Sequence, residues 1–133
     1  MDLGLAGRRV LITGGSQGIG YAVAKGFLDE GCRVVIAARD QARLDQAVAT
    51  LSERDARRIE AKSIDLSQRG AAEALADAYP ETDILVNNAG AVPIGDIFEI
   101  DETRWRAAWD LKVFGFVNLT RAMYARMRGH PPR

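Results

Sequence analysis

The sequence predicts an α/β fold: a doubly wound parallel sheet of four strands in the order 3-2-1-4, followed by a long final helix. Two observations lead there. Short apolar runs alternate with longer stretches of helical period, and three of the runs (Val10-Leu11-Ile12, Val34-Val35-Ile36 and Ile84-Leu85-Val86) are continuously apolar, as strands buried on both faces are. The resulting β-α-β-α-β-α-β order calls for right-handed crossovers. In that strand order a crevice opens at the carboxyl ends of strands 1 and 4, where the winding reverses.

The first strand is expected at Arg8–Thr13. Thr13-Gly14-Gly15-Ser16-Gln17-Gly18-Ile19-Gly20 then forms a glycine-rich turn that runs into a helix, on which Ile19, Val23, Gly26 and Phe27 share a face. Strand 2 is Arg33–Ala37, and Asp40 is placed to cap a helix carrying Leu44, Ala47, Val48 and Leu51. Strand 3 is Ile59–Ile64. A weaker stripe of Ala71, Leu75 and Ala78 follows from near Gln68 and is stopped by Pro80. Strand 4 is Asp83–Asn87, Val92–Phe98 is a loop, and Asp101–Arg128 is one helix with Trp105, Ala108, Trp109, Phe116, Leu119 and Met123 along its apolar stripe. No repeat, low-complexity segment or linker divides the 133 residues, so residues 1–133 are taken as one domain.

Composition narrows the function classes. Lys+Arg and Asp+Glu are equal at 18 each, so no charge excess points to nucleic acid or an anionic membrane. Arg121, Arg126, Arg128 and Arg133 lack the density and the interleaved aromatics of a nucleic-acid surface and fit a solvated helix end. Cys32 is the only cysteine; it fits a small packed residue in a reducing, cytoplasmic compartment. His130 is the only histidine and sits among Gly129, Pro131 and Pro132, a setting for a frayed tail rather than a metal ligand. No leader and no apolar stretch long enough to span a bilayer is seen.

The glycine turn is the motif that carries chemistry. A strand, a glycine turn and a helix start in succession present unpaired backbone N–H groups and the positive end of a helix dipole to an anion. The spacing T-G-x-x-x-G-x-G admits three readings: a nucleotide-binding turn, a G-x-S-x-G nucleophile elbow over Gly14–Gly18, or a turn without ligand. Asn87-Asn88-Ala89-Gly90, directly after strand 4, is a second motif on the same predicted crevice. Together the two motifs resemble the short-chain dehydrogenase/reductase family, amino-terminal half only, and the elbow has no comparable downstream support. The resemblance implies a Rossmann-like domain in which Gly14, Ser16, Gln17, Gly18, Ile19 and Gly20 seat a dinucleotide pyrophosphate. It also implies that Asp65 and Leu66 touch the adenine, and that Asn88, Ala89 and Gly90 complete the cofactor wall. The other reading of Asp65 is a helix cap, a job Ser67 could do instead.

An acid at the end of strand 2 selects NAD, and an arginine accommodates the 2′-phosphate of NADP. Ala38 occupies the acidic place and Arg39 follows, which points to NADP over NAD, although Asp40 is close by.

The family's chemistry needs a serine, a Tyr-x-x-x-Lys pair and an asparagine, and the first three normally lie beyond the span covered here. No catalytic residue is therefore assigned, and the domain is expected to be incomplete on its carboxyl-terminal side. Tyr21 and Lys25 match the pair literally but fit an exposed pair on the first helix. Tyr124 has Arg128 where lysine is required, a poor substitute. Lys112 stands where relatives carry the asparagine; it either reaches toward the nicotinamide ribose or a water, or points to solvent. Asn118 is off register. The expected partners are the dinucleotide and, because strand 4 and the final helix would lack cover, a second copy or a complementing second-half chain. The alternative is a non-catalytic dinucleotide-binding or assembly module.

Overall fold

A computed structural model describes residues 1–90 and 92–129; His130 and the tail after it lie outside the described residues. The elements are β1 (Arg9–Thr13), α1 (Gly18–Asp29), β2 (Arg33–Ala38), α2 (Gln41–Asp55), β3 (Ile59–Ser63), α3 (Ala71–Ala78), β4 (Ile84–Val86), α4 (Glu102–Trp109) and α5 (Gly115–Met127), with a π-helical turn, Asp110–Phe114, joining the last two. The strands form one parallel sheet in the order β3-β2-β1-β4, as the alternation of runs predicts. β1 lies in the middle, with Leu11 in register between Val35 and Leu85.

The continuous apolar runs follow from burial on both sides of the sheet. Val10, Ile12, Val34 and Ile36 face α1 and α2, where they meet Ala24, Leu28, Leu44 and Leu51. Leu11 and Ala37 face the other way, against Leu75 and Ala76 of α3 and Leu119 and Met123 of α5. Each such large side chain taken fully out of water contributes roughly 1.5–3 kcal/mol before the entropy of ordering is counted. Cys32 belongs to the first of these layers, with its Sγ 3.3 Å from the Leu5 carbonyl. Burial pushes its thiol up from the ordinary range, so it behaves as a packed residue and a poor nucleophile.

Several local expectations are corrected. The buried face of α1 is Gly20, Ala24 and Leu28. Ile19 is 76% exposed, because the first turn of α1 faces the crevice and not the sheet. Tyr21, expected outside, packs half-buried against the α1–α2 layer, while Lys25 is exposed. α3 begins at Ala71 rather than near Gln68, behind Gly70 in a left-handed conformation, and its buried residues are Ala72, Leu75 and Ala76 rather than Ala78.

The final helix is capped by Asp101, whose carboxylate accepts from the Arg104 N–H at 2.9 Å. It is not uniform, however. At the π turn the Gly115 N–H donates to the Asp110 carbonyl, the wider spacing that marks a π bulge. α5 packs on α3 with Arg126 paired to Asp77. α4 has no buried residue, and Trp105, Trp109 and Phe114 are 39%, 56% and 55% exposed.

Candidate functional site

The crevice at the carboxyl ends of β1 and β4 has a volume of about 780 Å3. Its construction starts from Thr13, the last residue of β1 and fully buried. The Thr13 hydroxyl oxygen accepts from the backbone N–H groups of Asn88 and Ala89, each at 3.0 Å. The Asn88 side-chain amide donates back to the Gly14 carbonyl at 3.2 Å, and the Gly14 N–H donates to the Ala37 carbonyl at 2.7 Å. The ends of three neighbouring strands are thus tied into one floor.

Over this floor stands the start of α1. Gln17 holds the N-cap position in extended conformation, its side chain makes no capping bond, and the first turn carries no acid. The first-turn N–H groups therefore keep their affinity for an anion in the crevice. Gly18 bends the chain there with φ +60° and open space on its side-chain side. Gly20 has a different reason to be glycine. A Cβ on it would sit 2.2 Å from the Gly14 carbonyl oxygen and 2.5 Å from the Asn88 amide nitrogen, so its missing side chain lets α1 close onto the turn.

Gly14, Ser16, Gln17, Gly18 and Ile19 line the crevice, as do Arg39, Leu66, Asn88, Ala89 and Gly90. Two of the residues expected on sequence grounds are not on its wall. Gly20 is buried beneath the turn. Asp65 is engaged in its own turn: its carboxylate accepts from the Ser67 N–H at 3.0 Å and the Ser67 hydroxyl at 2.7 Å, with the Gln68 amide at 3.4 Å. Burial works to raise the Asp65 carboxyl, but the Ser67 and Gln68 hydrogen bonds prevail and hold it below its usual range.

Arg43 lines the crevice beside Arg39 and Asp40 and was not singled out from the sequence. The signal was available. Asp40 caps α2 by accepting from the Arg43 N–H at 3.1 Å, and a cap at that position puts the third helical residue at the same mouth. The Asp40 carboxylate also lies 3.6 Å from the Arg43 guanidinium, so it is engaged by the helix start and by a cation at once. Ala37, Ile64 and Leu111 add apolar wall.

The remaining sequence candidates lie elsewhere. Tyr124 is 61% exposed, with the Arg128 guanidinium 5.9 Å from its ring centre. Lys112 is exposed on the π turn, its stem running past Gly90 at the crevice edge. The Asn87 side-chain amide donates to the Thr120 hydroxyl at 2.9 Å, while its Oδ1 is buried with no donor among the described residues. Among those residues no group of three or more His, Cys, Asp or Glu is placed to hold a metal ion.

The profile of the family described as short chain dehydrogenase matches residues 8–131. The chain belongs to the short-chain dehydrogenase family. Among solved members, L-sorbose reductase from Gluconobacter frateurii, crystallised with NADPH and L-sorbose, is 36% identical; its TM-score is 0.87 over 96% of this chain and 50% of that one. An uncharacterized oxidoreductase of Bacillus subtilis, YvaG, is 34% identical over 122 residues, 91% of this chain and 46% of its own length. Galactitol 2-dehydrogenase (L-tagatose-forming) of Cereibacter sphaeroides is 35% identical over 118 residues, 89% of this chain and 46% of its own. The chain spans about half the length of the curated relatives it matches, so it shares with these short-chain dehydrogenases the part that contains the glycine turn and the β4 motif.

Proposed function

We propose that this chain is the NADP(H)-binding portion of a short-chain oxidoreductase acting on a carbonyl or alcohol, and that it is not catalytically competent alone. The observation that carries the reading is one crevice onto which the glycine turn, Asn88-Ala89-Gly90 and the arginine-bearing end of β2 all open. The donor set fits a dinucleotide. The uncapped start of α1, with Gly14, Ser16, Gln17, Gly18 and Ile19, suits a pyrophosphate, and Gly20 keeps that helix start close. Arg39 and Arg43 suit the 2′-phosphate of NADP. Leu66 offers an apolar wall to the adenine, and Asp65 holds the turn that presents it. Bound there, the nicotinamide would supply the hydride-transfer chemistry.

NADP is favoured over NAD by charge. Arg39 and Arg43 line the crevice with one acid, Asp40, which is engaged by the α2 N-terminus and Arg43, so the group carries a net positive charge. The relatives, a reductase solved with NADPH among them, support the redox class.

A non-catalytic dinucleotide-binding or assembly module is the second reading. It is favoured by the fate of the Tyr-x-x-x-Lys look-alikes: Tyr21 packs half-buried on the α1–α2 layer with Lys25 exposed, and Tyr124 makes a surface cation–π contact with Arg128. Association supports either reading. The exposed Trp105, Trp109 and Phe114 and the open edge of β4 suit a second copy or a complementing chain. Among the described residues no helix is long and apolar enough to cross a membrane, and a single buried thiol suits a cytoplasmic setting.

Calorimetric titration with NADP and NAD tests the cofactor assignment. Loss of a charge-assisted phosphate contact, about 1.5–3 kcal/mol, should weaken NADP by roughly ten- to a hundredfold in Arg39→Ala and leave NAD nearly unchanged. Tighter binding of NAD than NADP, or an Arg39→Ala chain with undiminished NADP affinity, would refute it. Carbonyl reduction by the purified chain alone would refute its catalytic incompleteness.

A further inference from the structure

We infer that Lys112 makes this crevice select for the redox state of its dinucleotide, favouring the reduced nicotinamide over the oxidised one. The inference rests on the dinucleotide reading of the crevice and adds a residue to it.

Position comes first. A dinucleotide bound at a switch point lies across it, one mononucleotide half on each side. Arg39 and Arg43 sit at the β2 end, which suits the 2′-phosphate half. The nicotinamide half is left for the β4 end, whose wall includes Gly90 and Leu111. Lys112 follows Leu111, and its Cδ lies 3.7 Å from where a Cβ on Gly90 would stand. The ammonium is two bonds further on. Leu111 and Lys112 both belong to the π turn Asp110–Phe114, Leu111 lining the crevice and Lys112 running past Gly90 at its edge.

Charge comes next. None of the ion pairs or hydrogen bonds among the described residues engages the Lys112 ammonium. Asp110, two residues back on the same π turn, does not pair with it. An oxidised nicotinamide ring carries a positive charge, and a reduced one is neutral. A cation at this edge therefore repels one redox form and leaves the other alone. In the high effective dielectric around an exposed lysine, Coulomb's law makes this repulsion worth roughly three- to tenfold in dissociation constant. A neutral asparagine at this position would make no such distinction. The site is thereby biased toward carrying hydride to a substrate.

The test is a binding ratio and needs no turnover. Dissociation constants for NADP+ and NADPH are measured by calorimetry on the unmodified chain and on Lys112→Gln, Lys112→Arg and Lys112→Glu. Because Lys112 is exposed, each variant is expected to keep the native circular dichroism spectrum. The ratio of the NADP+ to the NADPH constant should fall about three- to tenfold in Lys112→Gln, stay in Lys112→Arg, and fall further in Lys112→Glu. In the unmodified chain it should shrink toward the Gln value at high salt. An unchanged ratio in Lys112→Gln, with both forms still binding, would overturn the inference and leave the cofactor site intact. Failure of both forms to bind the unmodified chain would overturn the dinucleotide reading and the inference with it.

Discussion

Replacing Gly20 by alanine adds one methyl group where the helix start and the turn already touch. Its carbon would stand 2.2 Å from the Gly14 carbonyl oxygen, 2.5 Å from the Asn88 amide nitrogen and 2.8 Å from the Gly14 carbonyl carbon. Unstrained contacts of this kind settle near ~3.5 Å, so something must retreat by about 1 Å. The neighbours have little freedom to do so. Gly14 is tied to Ala37 at 2.7 Å and Asn88 to Thr13 at 3.0 Å. Overpacking of this sort costs about 1–3 kcal/mol, and loss of the Asn88–Gly14 hydrogen bond adds ~1 kcal/mol, so Gly20→Ala should lose about 2–4 kcal/mol. Gly18→Ala is the control. It has open space around it but φ +60°, so it should cost only the backbone penalty, about 1–2 kcal/mol. Urea unfolding at a common slope gives both values, and NADP titration reports whether the displaced turn still receives a pyrophosphate. If Gly20→Ala unfolds at the unmodified chain's urea midpoint, or proves no worse than Gly18→Ala, the steric argument is wrong.

Two further outcomes follow from the same floor and from the opposite end of the sheet. Thr13→Val keeps the shape but leaves the buried N–H groups of Asn88 and Ala89 without their acceptor; it should destabilise by about 2–4 kcal/mol, while Thr13→Ser keeps most of the stability, as urea midpoints would show. Tyr79 is raised by burial and by its hydrogen bond to Glu60 from 10.0 to about 12. Its folded form therefore holds the proton more tightly, and the associated stability is intact below pH 10 and lost between 10 and about 12. Tyr79→Phe should flatten that part of the alkaline unfolding profile relative to the unmodified chain.

The strands were legible because burial on both faces leaves continuous apolar runs, and Val10-Leu11-Ile12 alternates between two layers without a polar interruption. The crevice was legible because glycine spacing and strand order point to the same end of the sheet. Helix faces were harder at their ends. Ile19 looks like core by period, yet the first turn of α1 overhangs the crevice, where period carries no information about what lies beneath. The late start of α3 reflects local competition: Asp65 and Ser67 satisfy each other in a turn before a helix can begin. The π turn leaves no compositional mark, since its residues suit an α-helix equally well. Arg43 lies beyond the end of β2 and carries no motif of its own; only the Asp40 cap, which holds the Arg43 N–H, brings it to the crevice.

The central place of β1 has a consequence for how the molecule assembles itself. β1, α1, β2, α2 and β3 are consecutive, so their contacts close short loops and can form early. The floor of the crevice is different: Thr13 and Asn88 meet across 75 residues of chain. That closure carries the larger loop entropy and rewards it with a strand of only three residues, Ile84–Val86. Loop entropy alone makes the crevice the part of the sheet expected to close late and open first. A ligand that bridges the glycine turn and the β4 motif would act as a cross-link between distant parts of the chain, and its binding energy would appear chiefly as resistance to this local opening.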